Sequence, residues 1–328
     1  MTRRLFFYLP AALFAAALLL YRGECARAAG EGMALCTRTL IPALFPFFVL
    51  SAFLLNAGLA SDLSRLFSKR GRGFFGLPGA CAVPFILGAL GGYPVGAASV
   101  CALFDNGLCT KRQAERALFF CSNCGAAFTL AVCPALIKGA RTGAVLLLSH
   151  LGAAVLLGCL SAAFSKKSAT ATRADEITFP PPQPFGAALS GALSSGTSQT
   201  ASVCACVVFF FCVSAALEAS NALGLLSRVL SLPLSLFGVS RSVTAALARG
   251  ALEMTGGVYA LSALSSAPYA VKICGAAAVI GFGGFSVHLQ ALSSVLHSRL
   301  SPRLYFAGKA LQSLIAAGLA RLLLFVLK

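Results

Sequence analysis

Long apolar runs alternate with short basic segments along this chain, and their spacing predicts a bundle of membrane-spanning helices. Seven apolar runs are predicted to cross a bilayer core of about 30 Å, the shorter ones near the lower limit of length for a spanning helix. They are Leu5 to Tyr21, Leu40 to Leu55, Ala117 to Ile137, Thr142 to Phe164, Gln199 to Glu218, Lys272 to Leu296 and Leu304 to Leu327. The first run follows Thr2-Arg3-Arg4, and we interpret it as a retained helix rather than a cleaved signal peptide.

Two further apolar segments are interrupted by Pro and Gly. Gly76 to Phe104 and Ser240 to Leu264 are each divided into limbs of roughly ten residues, which is too short to cross the core. We predict two re-entrant hairpins, with tips at Gly91-Gly92-Tyr93 and at Thr255-Gly256-Gly257. A kinked full span is the alternative for each segment.

Two of the seven spans carry polar and glycine residues near their middle. Ser122-Asn123-Cys124-Gly125 interrupts one of them, and Gly281-Phe282-Gly283-Gly284 interrupts the other. Both are therefore predicted to be broken helices. An amphipathic stretch, Ser61 to Arg70, and a leucine-rich stretch, Asn221 to Phe237, are predicted to lie at the membrane interface.

The two halves of the chain resemble each other. Leu63 to Ser68 and Leu226 to Ser231 read almost the same, 163 positions apart, and Gly88-Ala89-Leu90 returns as Gly250-Ala251-Leu252, 162 positions on. Because a re-entrant hairpin adds no crossing, each half crosses three times, and the second half enters from the opposite side. The predicted fold is an all-α integral membrane protein. It is an inverted repeat of spanning helices with two re-entrant hairpins and two broken helices, plus one extra N-terminal helix.

The predicted organisation has four parts. Residues 1–32 form the N-terminal transmembrane helix, 33–164 the first repeat, 165–185 a polar linker and 186–328 the second, inverted repeat.

Composition and charge agree with a membrane protein. Apolar residues make up 58% of the chain and charged residues 11%, against about a quarter in soluble domains. The formal charge of +17 comes from Lys and Arg between the apolar runs, which indicates topology signals and contacts with lipid head groups rather than nucleic acid. Their distribution predicts a cytoplasmic N-terminus and an external C-terminus. Arg22 and Arg27 are expected in an outer loop, balanced by Glu24 and Glu31.

Motifs of other protein classes are missing from the sequence. Most of the 13 cysteines lie in apolar runs, so no disulfide framework is predicted, and Cys121-x-x-Cys124 lacks the partners that a redox or metal site needs. No phosphate-binding loop, zinc-protease motif or nucleophile elbow occurs. We therefore expect no enzyme activity, no cofactor and no metal centre.

Three features place polar groups at membrane depth and make up the candidate site. The hairpin tips bring backbone N–H groups towards a ligand, or their glycines serve only tight helix packing. Arg249 and Glu253, four residues apart, either neutralise each other or leave Arg249 to bind an anion. The broken helices supply Asn123, which both donates and accepts, and His288, which either titrates or is a buried neutral ring. Lys309 is assigned to snorkelling at the interface. The predicted substrate-binding residues are Gly91, Gly92, Tyr93, Ser122, Asn123, Gly125, Arg249, Glu253, Thr255, Gly256, Gly257, Gly283, Gly284, Ser286 and His288.

Two motifs carry a resemblance to a known family. Gly91 to Ala97 and Phe120 to Phe128 resemble sporulation integral membrane proteins of the YlbJ type, within the nucleoside-recognition (Gate) family related to concentrative nucleoside transporters. Ala126 stands where the family usually has a proline. The resemblance implies transport of a small polar or anionic solute across a forespore membrane, and it suggests dipicolinic acid. A non-transporting sporulation scaffold and a subunit gated by a partner are the alternatives, and formation of a homo-oligomer stays open.

Overall fold

The computed structural model describes residues 2–68, 75–163 and 181–327, without the side chains of residues 2–7 and 10. These residues form helices joined by short turns, so the prediction of an all-helical membrane protein is confirmed. The helices are α1 (Thr2–Leu20), α2 (Arg22–Leu35), α3 (Ile41–Asn56), α4 (Leu59–Ser68), α5 (Ala82–Gly91), α6 (Tyr93–Asp105), α7 (Lys111–Cys121), α8 (Cys133–Leu136), α9 (Thr142–Ala163), α10 (Phe185–Ala219), α11 (Ala222–Ser235), α12 (Arg241–Leu252), α13 (Met254–Ala263), α14 (Tyr269–Phe282), α15 (Gly284–His297) and α16 (Arg303–Val326). The polar linker predicted at 165–185 lies mostly outside the described residues.

Five helical stretches of the described chain are long and apolar enough to cross a membrane. They are Arg22–Asn56, Thr142–Ala163, Phe185–Ala219, Tyr269–His297 and Arg303–Val326. They coincide with five of the seven predicted spans. The other two are α1, whose described apolar part is Ala11–Leu20, and the region of α7 and α8, where the helix is interrupted. The protein is therefore a multi-pass membrane protein, while the inverted order of its repeats stays a prediction.

The N-terminal region differs from the expected loop. Residues Arg22–Asn56 form one continuous helical stretch, joined by a π-helical turn at Cys36–Leu40, so the outer loop expected around Arg22 and Arg27 is helical. The reason is packing against α10. A side chain added at Gly32 would lie 3.3 Å from Phe211 and from the backbone of Val208, so the two helices approach closely along this face. The predicted boundary between residues 32 and 33 falls inside this stretch.

Two helical hairpins lie where Pro and Gly divide the apolar segments. Gly92 alone separates α5 from α6, and Glu253 alone separates α12 from α13. The limbs pack through glycines, since a Cβ added at Gly88 would lie 3.2 Å from the Cα of Gly96, and one at Gly257 would lie 2.2 Å from the Cα of Gly250. At 1.5 Å per residue, each limb spans roughly 15–20 Å, which is well short of a bilayer core.

Both predicted helix breaks are present. After α7 the chain runs without helical structure through Ser122 to Gly125, then resumes as a π-helical turn (Phe128–Val132) and α8. Gly283 interrupts the second helix between α14 and α15, with φ of +93°, a conformation that glycine adopts without strain. The last helix, α16, packs against α14, α9 and α7 and so lies beside both breaks.

Candidate functional site

A cavity of about 300 Å³ lies between the two hairpin tips. This volume is at the lower end of the range for small-molecule sites. Both hairpins, both broken helices, α3 and α10 contribute to its wall. The residues that line it include Gly91, Gly92, Tyr93, Gly125, Ser198, Gln199, Ser202, Glu253, Thr255, Ser286 and Gln290.

The tip of the first hairpin presents free backbone donors. Gly92 is the N-cap of α6, with φ of +90° and ψ of −179°, and no side chain caps this helix. Within the described residues, the N–H groups of Tyr93 and Val95 have no hydrogen-bond partner. Because unpaired N–H groups carry the positive end of the helix dipole, this tip favours a negatively charged or hydrogen-bond-accepting group in the cavity.

The first helix break lies directly beside this tip. A Cβ added at Gly125 would lie 3.3 Å from the backbone nitrogen of Gly92 and 3.3 Å from the carbonyl oxygen of Leu90. Only glycine allows so close an approach of two backbones without displacing one of them. The helical segment that resumes at Ala126 therefore begins next to the start of α6, and both starts border the same cavity.

The tip of the second hairpin is arranged differently from the prediction. The break lies at Glu253, and the predicted tip residues Gly256 and Gly257 lie inside α13. Gly257 packs against Gly250, and a Cβ at Gly256 would lie 3.3 Å from the ring of Phe211, so these two glycines serve packing. Thr255 does line the cavity.

Glu253 caps its own helix. Its carboxylate accepts hydrogen bonds from the N–H of Thr255, at 2.9 Å, and from the N–H of Gly256, at 2.5 Å. The side chain is buried, and within the described residues it is the one charged group that lines the cavity. The helix start that an anion would use in the first hairpin is thus occupied by the protein's own carboxylate in the second.

Arg249 pairs with Glu218 rather than with Glu253, so the first of the two alternatives for Arg249 is not the arrangement observed. Its guanidinium lies 2.7 Å from the carboxylate of Glu218, at a partly exposed position outside the cavity. The spacing of four residues places two side chains on one helix face only if the helix continues. Here α12 ends at Leu252, and Glu253 has an extended backbone that turns its carboxylate towards α13.

The opposite wall of the cavity is polar and comes from α10 and α15. Ser198, Gln199 and Ser202 face it from α10, and none of their side chains has a hydrogen-bond partner among the described residues. Gln290 faces it from α15, where its amide nitrogen lies 3.3 Å from the sulfur of Cys206. The sequence prediction missed the three α10 residues. They lie one and four positions apart, which places them on one face of an otherwise apolar helix, and this pattern could have identified them.

A cluster of buried polar side chains lies behind the first break. We call Ser122, Asn123, His150, Lys309 and Gln312 the polar cluster, and all five are fully buried. Gln312 donates to the side-chain oxygen of Asn123 at 2.9 Å, and His150 accepts from the N–H of Cys124 at 2.9 Å. These bonds pair backbone and amide groups that the interrupted helix leaves without helical partners.

Lys309 is the largest departure from the sequence prediction. Its side chain is 0% exposed, so it does not reach the interface. The ammonium donates to the carbonyl oxygen of Ser122 and, at 2.5 Å, to the side-chain oxygen of Gln312. Lys309 therefore stabilises the carboxyl end of α7, where the dipole favours positive charge.

Three predicted site residues lie behind the cavity wall. The ring nitrogen Nδ1 of His288 lies 2.9 Å from the hydroxyl of Tyr305, and the ring packs edge-on to Phe282. Gly283 lies against the ring of Tyr93, while a Cβ at Gly284 would lie 2.9 Å from the carbonyl oxygen of Gly250. Gly283 and Gly284 thus support the tip region, His288 contacts α14 and α16, and Ser286 lines the cavity itself.

Only some of the predicted site residues therefore lie together around the cavity. The cavity brings together Gly91, Gly92, Tyr93, Gly125, Glu253, Thr255 and Ser286. Ser122 and Asn123 belong to the polar cluster, and Arg249 lies elsewhere. Among the described residues, no group of three His, Cys, Asp or Glu side chains is arranged to hold a metal ion.

Comparison with known proteins supports the resemblance found in the sequence. Residues 37–140, which include the first hairpin and the first break, match the Gate family model, described as nucleoside recognition. The chain is 23% identical over 313 residues to the sporulation integral membrane protein YlbJ of Bacillus subtilis (strain 168), an alignment that covers 90% of this chain and 76% of that protein. No solved structure matches the chain. The predicted similarity to the Gate family and to YlbJ-type proteins is confirmed.

Proposed function

We propose that this chain is a transporter that moves a small polar solute across a membrane during endospore formation, with no catalytic role of its own. The sporulation context comes from the similarity to YlbJ, and the membrane is the cell membrane or the outer forespore membrane. Membrane lipids and the transported solute are the expected partners.

The cavity is the observation that carries this proposal. It lies where two short-limbed hairpins and two interrupted helices meet, and transporters place their substrate sites at such discontinuities. A protein that served only as a scaffold would have no need for uncapped backbone donors and unpaired Ser and Gln side chains facing a common cavity.

Dipicolinic acid is the solute that we propose first. The uncapped helix start at Gly92 and the neighbouring start at Ala126 suit one carboxylate, and the Ser and Gln side chains of α10 suit further hydrogen bonds. Glu253 faces the same cavity with a like charge, so it opposes the binding of a second ionised carboxylate.

Uptake by proteoliposomes that contain only this chain tests the proposal. We expect accumulation of labelled dipicolinic acid above the level of empty vesicles, with a nucleoside as the competing candidate suggested by the family description. Ser202→Phe should abolish uptake, because the added ring would fill part of the cavity. Ala201→Phe is the matched control, since Ala201 is exposed on α10 and does not line the cavity.

The outcomes separate the proposal from its alternatives. Equal uptake by the Ser202→Phe and Ala201→Phe variants would refute the cavity as the route. The well-folded protein alone could fail to take up either dipicolinic acid or a nucleoside. If a membrane extract of sporulating cells then restored uptake, the result would favour a subunit gated by a partner. Absence under both conditions would favour the scaffold.

A further inference from the structure

We infer that Lys309 is a tethered cation that occupies a position built for an inorganic monovalent cation at the first helix break. The inference concerns a site inside the polar cluster, separate from the cavity.

The groups around the ammonium are those that bind Na⁺ or K⁺. Ser122 comes directly after the last residue of α7, so its carbonyl oxygen lies at the negative end of the helix dipole. The side-chain oxygen of Gln312 is the second acceptor, 2.5 Å from the ammonium nitrogen of Lys309. The ammonium also lies 5.3 Å from the centre of the Tyr93 ring, on its face. In transporters with interrupted helices, carbonyl groups of unwound backbone and the carboxyl ends of half-helices coordinate the coupling cation.

The surroundings do not resemble an ion pair. Within the described residues, no carboxylate lies within salt-bridge distance of Lys309, although the side chain is completely buried. A buried ammonium is unfavourable unless its charge is compensated, and here neutral oxygens with oriented dipoles provide the compensation. Gln312 is itself held in this orientation by Asn123, so the oxygen positions are fixed before a cation is considered.

The ammonium of Lys309 is part of the chain, so it cannot leave the site as a free ion would. An inorganic ion would bind and leave during each cycle, whereas Lys309 holds Ser122 at all times. If the chain is the transporter proposed above, its transport therefore needs no Na⁺ at this break. The position itself is testable without any transport measurement.

Thermal unfolding of the purified full chain in detergent provides that test. Wild type should have the same midpoint in sodium chloride and in choline chloride at equal ionic strength. Lys309→Ala should have a lower midpoint in choline chloride, and sodium chloride should raise it by about 3 °C, because the vacated oxygens then bind the ion. Arg321→Ala is the matched control, since it removes an exposed positive charge from the same helix and should show no difference between the two salts.

Each outcome of these measurements either supports or overturns the cation site at Lys309. A Lys309→Ala midpoint that is equal in both salts overturns the inference, and so does a wild-type midpoint that rises with sodium as much as that of the variant. If Lys309→Ala does not accumulate, the abundance of Lys309→Arg and Lys309→Met decides. Retention of the Arg variant with loss of the Met variant supports a required positive charge, and a Met variant as abundant as wild type overturns it. Because none of these measurements uses transport, they can succeed where the uptake experiment fails.

Discussion

The hydroxyl of Tyr93 donates a hydrogen bond to the backbone carbonyl of Ile280. Tyr93 begins α6 at the tip of the first hairpin, and Ile280 lies in the last turn of α14, just before the second helix break. The backbone carbonyl of Tyr93 in turn accepts a hydrogen bond from the hydroxyl of Ser122 at 3.0 Å. One residue thus joins the first hairpin to both interrupted helices, so the two halves of the chain meet at the cavity through Tyr93.

Tyr93→Phe should destabilise the protein by about 1–2 kcal/mol, because the carbonyl of Ile280 would lose its buried partner. The thermal unfolding midpoint in detergent measures the change. Tyr259→Phe is a suitable control, since the hydroxyl of Tyr259 makes no hydrogen bond among the described residues. An equal effect of the two changes would show that the hydrogen bond between the halves contributes nothing specific.

The first hairpin packs closely on the first helix break at Gly96, so a larger residue there should destabilise the protein. A Cβ at Gly96 would lie 2.4 Å from the carbonyl oxygen of Cys121 and 3.1 Å from the Cα of Gly88. Gly96→Ala should therefore destabilise the protein by about 1–3 kcal/mol, because backbone must move to make room.

Gly318→Ala is the control for that change, since nothing lies within 4 Å of its added Cβ on α16. We expect Gly318→Ala to raise the free energy of unfolding by about 0.4–1 kcal/mol, because alanine restricts the unfolded chain and favours a helix. Unfolding midpoints of both variants test the pair of expectations. Matching shifts would contradict the close packing at Gly96.

The sequence predicted the helix breaks well and the side-chain partners poorly, for physical reasons. Prolines and glycines act locally on the backbone, so Gly92, Ser122 to Gly125 and Gly283 could be located from the chain alone. The position of a charge depends on tertiary packing. Lys309 was misplaced because a lysine in an apolar helix reaches the interface only when no buried acceptor is closer, and Ser122 lies far from it in sequence.

The pair formed by Arg249 and Glu218 should contribute little to the stability of the protein. Their side chains are 26% and 48% exposed, so solvent weakens their attraction. A double-mutant cycle of Arg249→Ala and Glu218→Ala should give a coupling free energy of about 0–1 kcal/mol in unfolding measurements.

Solute uptake extends this prediction to function. Arg249→Lys should transport at the wild-type rate, because Arg249 does not line the cavity. A marked loss of uptake with unchanged stability would restore Arg249 as a binding residue and contradict its position outside the cavity.

The inverted order that the sequence predicts for the two repeats requires a specific membrane topology. Each half should cross three times, and the extra N-terminal helix makes seven crossings in all. Single-cysteine labelling in a background without other cysteines should place residue 166 inside and residue 328 outside. Finding both positions on one side would refute the inverted repeat, and labelling at Gly107, in the turn between α6 and α7, would show where the first hairpin returns.

Glu253→Gln tests whether a like charge limits the binding of an acidic solute. Glutamine keeps an oxygen that can accept from the N–H of Thr255 or of Gly256, so the cap of α13 is largely preserved while the charge is lost. We therefore expect nearly unchanged stability and a lower KM for dipicolinic acid, by roughly three- to tenfold if the charge opposes binding by about 1 kcal/mol. Glu218→Gln removes a carboxylate outside the cavity and should leave KM as it is. A higher KM in the Glu253→Gln variant would instead show that the carboxylate binds a hydrogen-bond donor or a cationic group of the solute. Because the helix starts at Gly92 and Ala126 would then face the opposite end of that solute, the substrate would carry an acceptor at one end and a donor at the other.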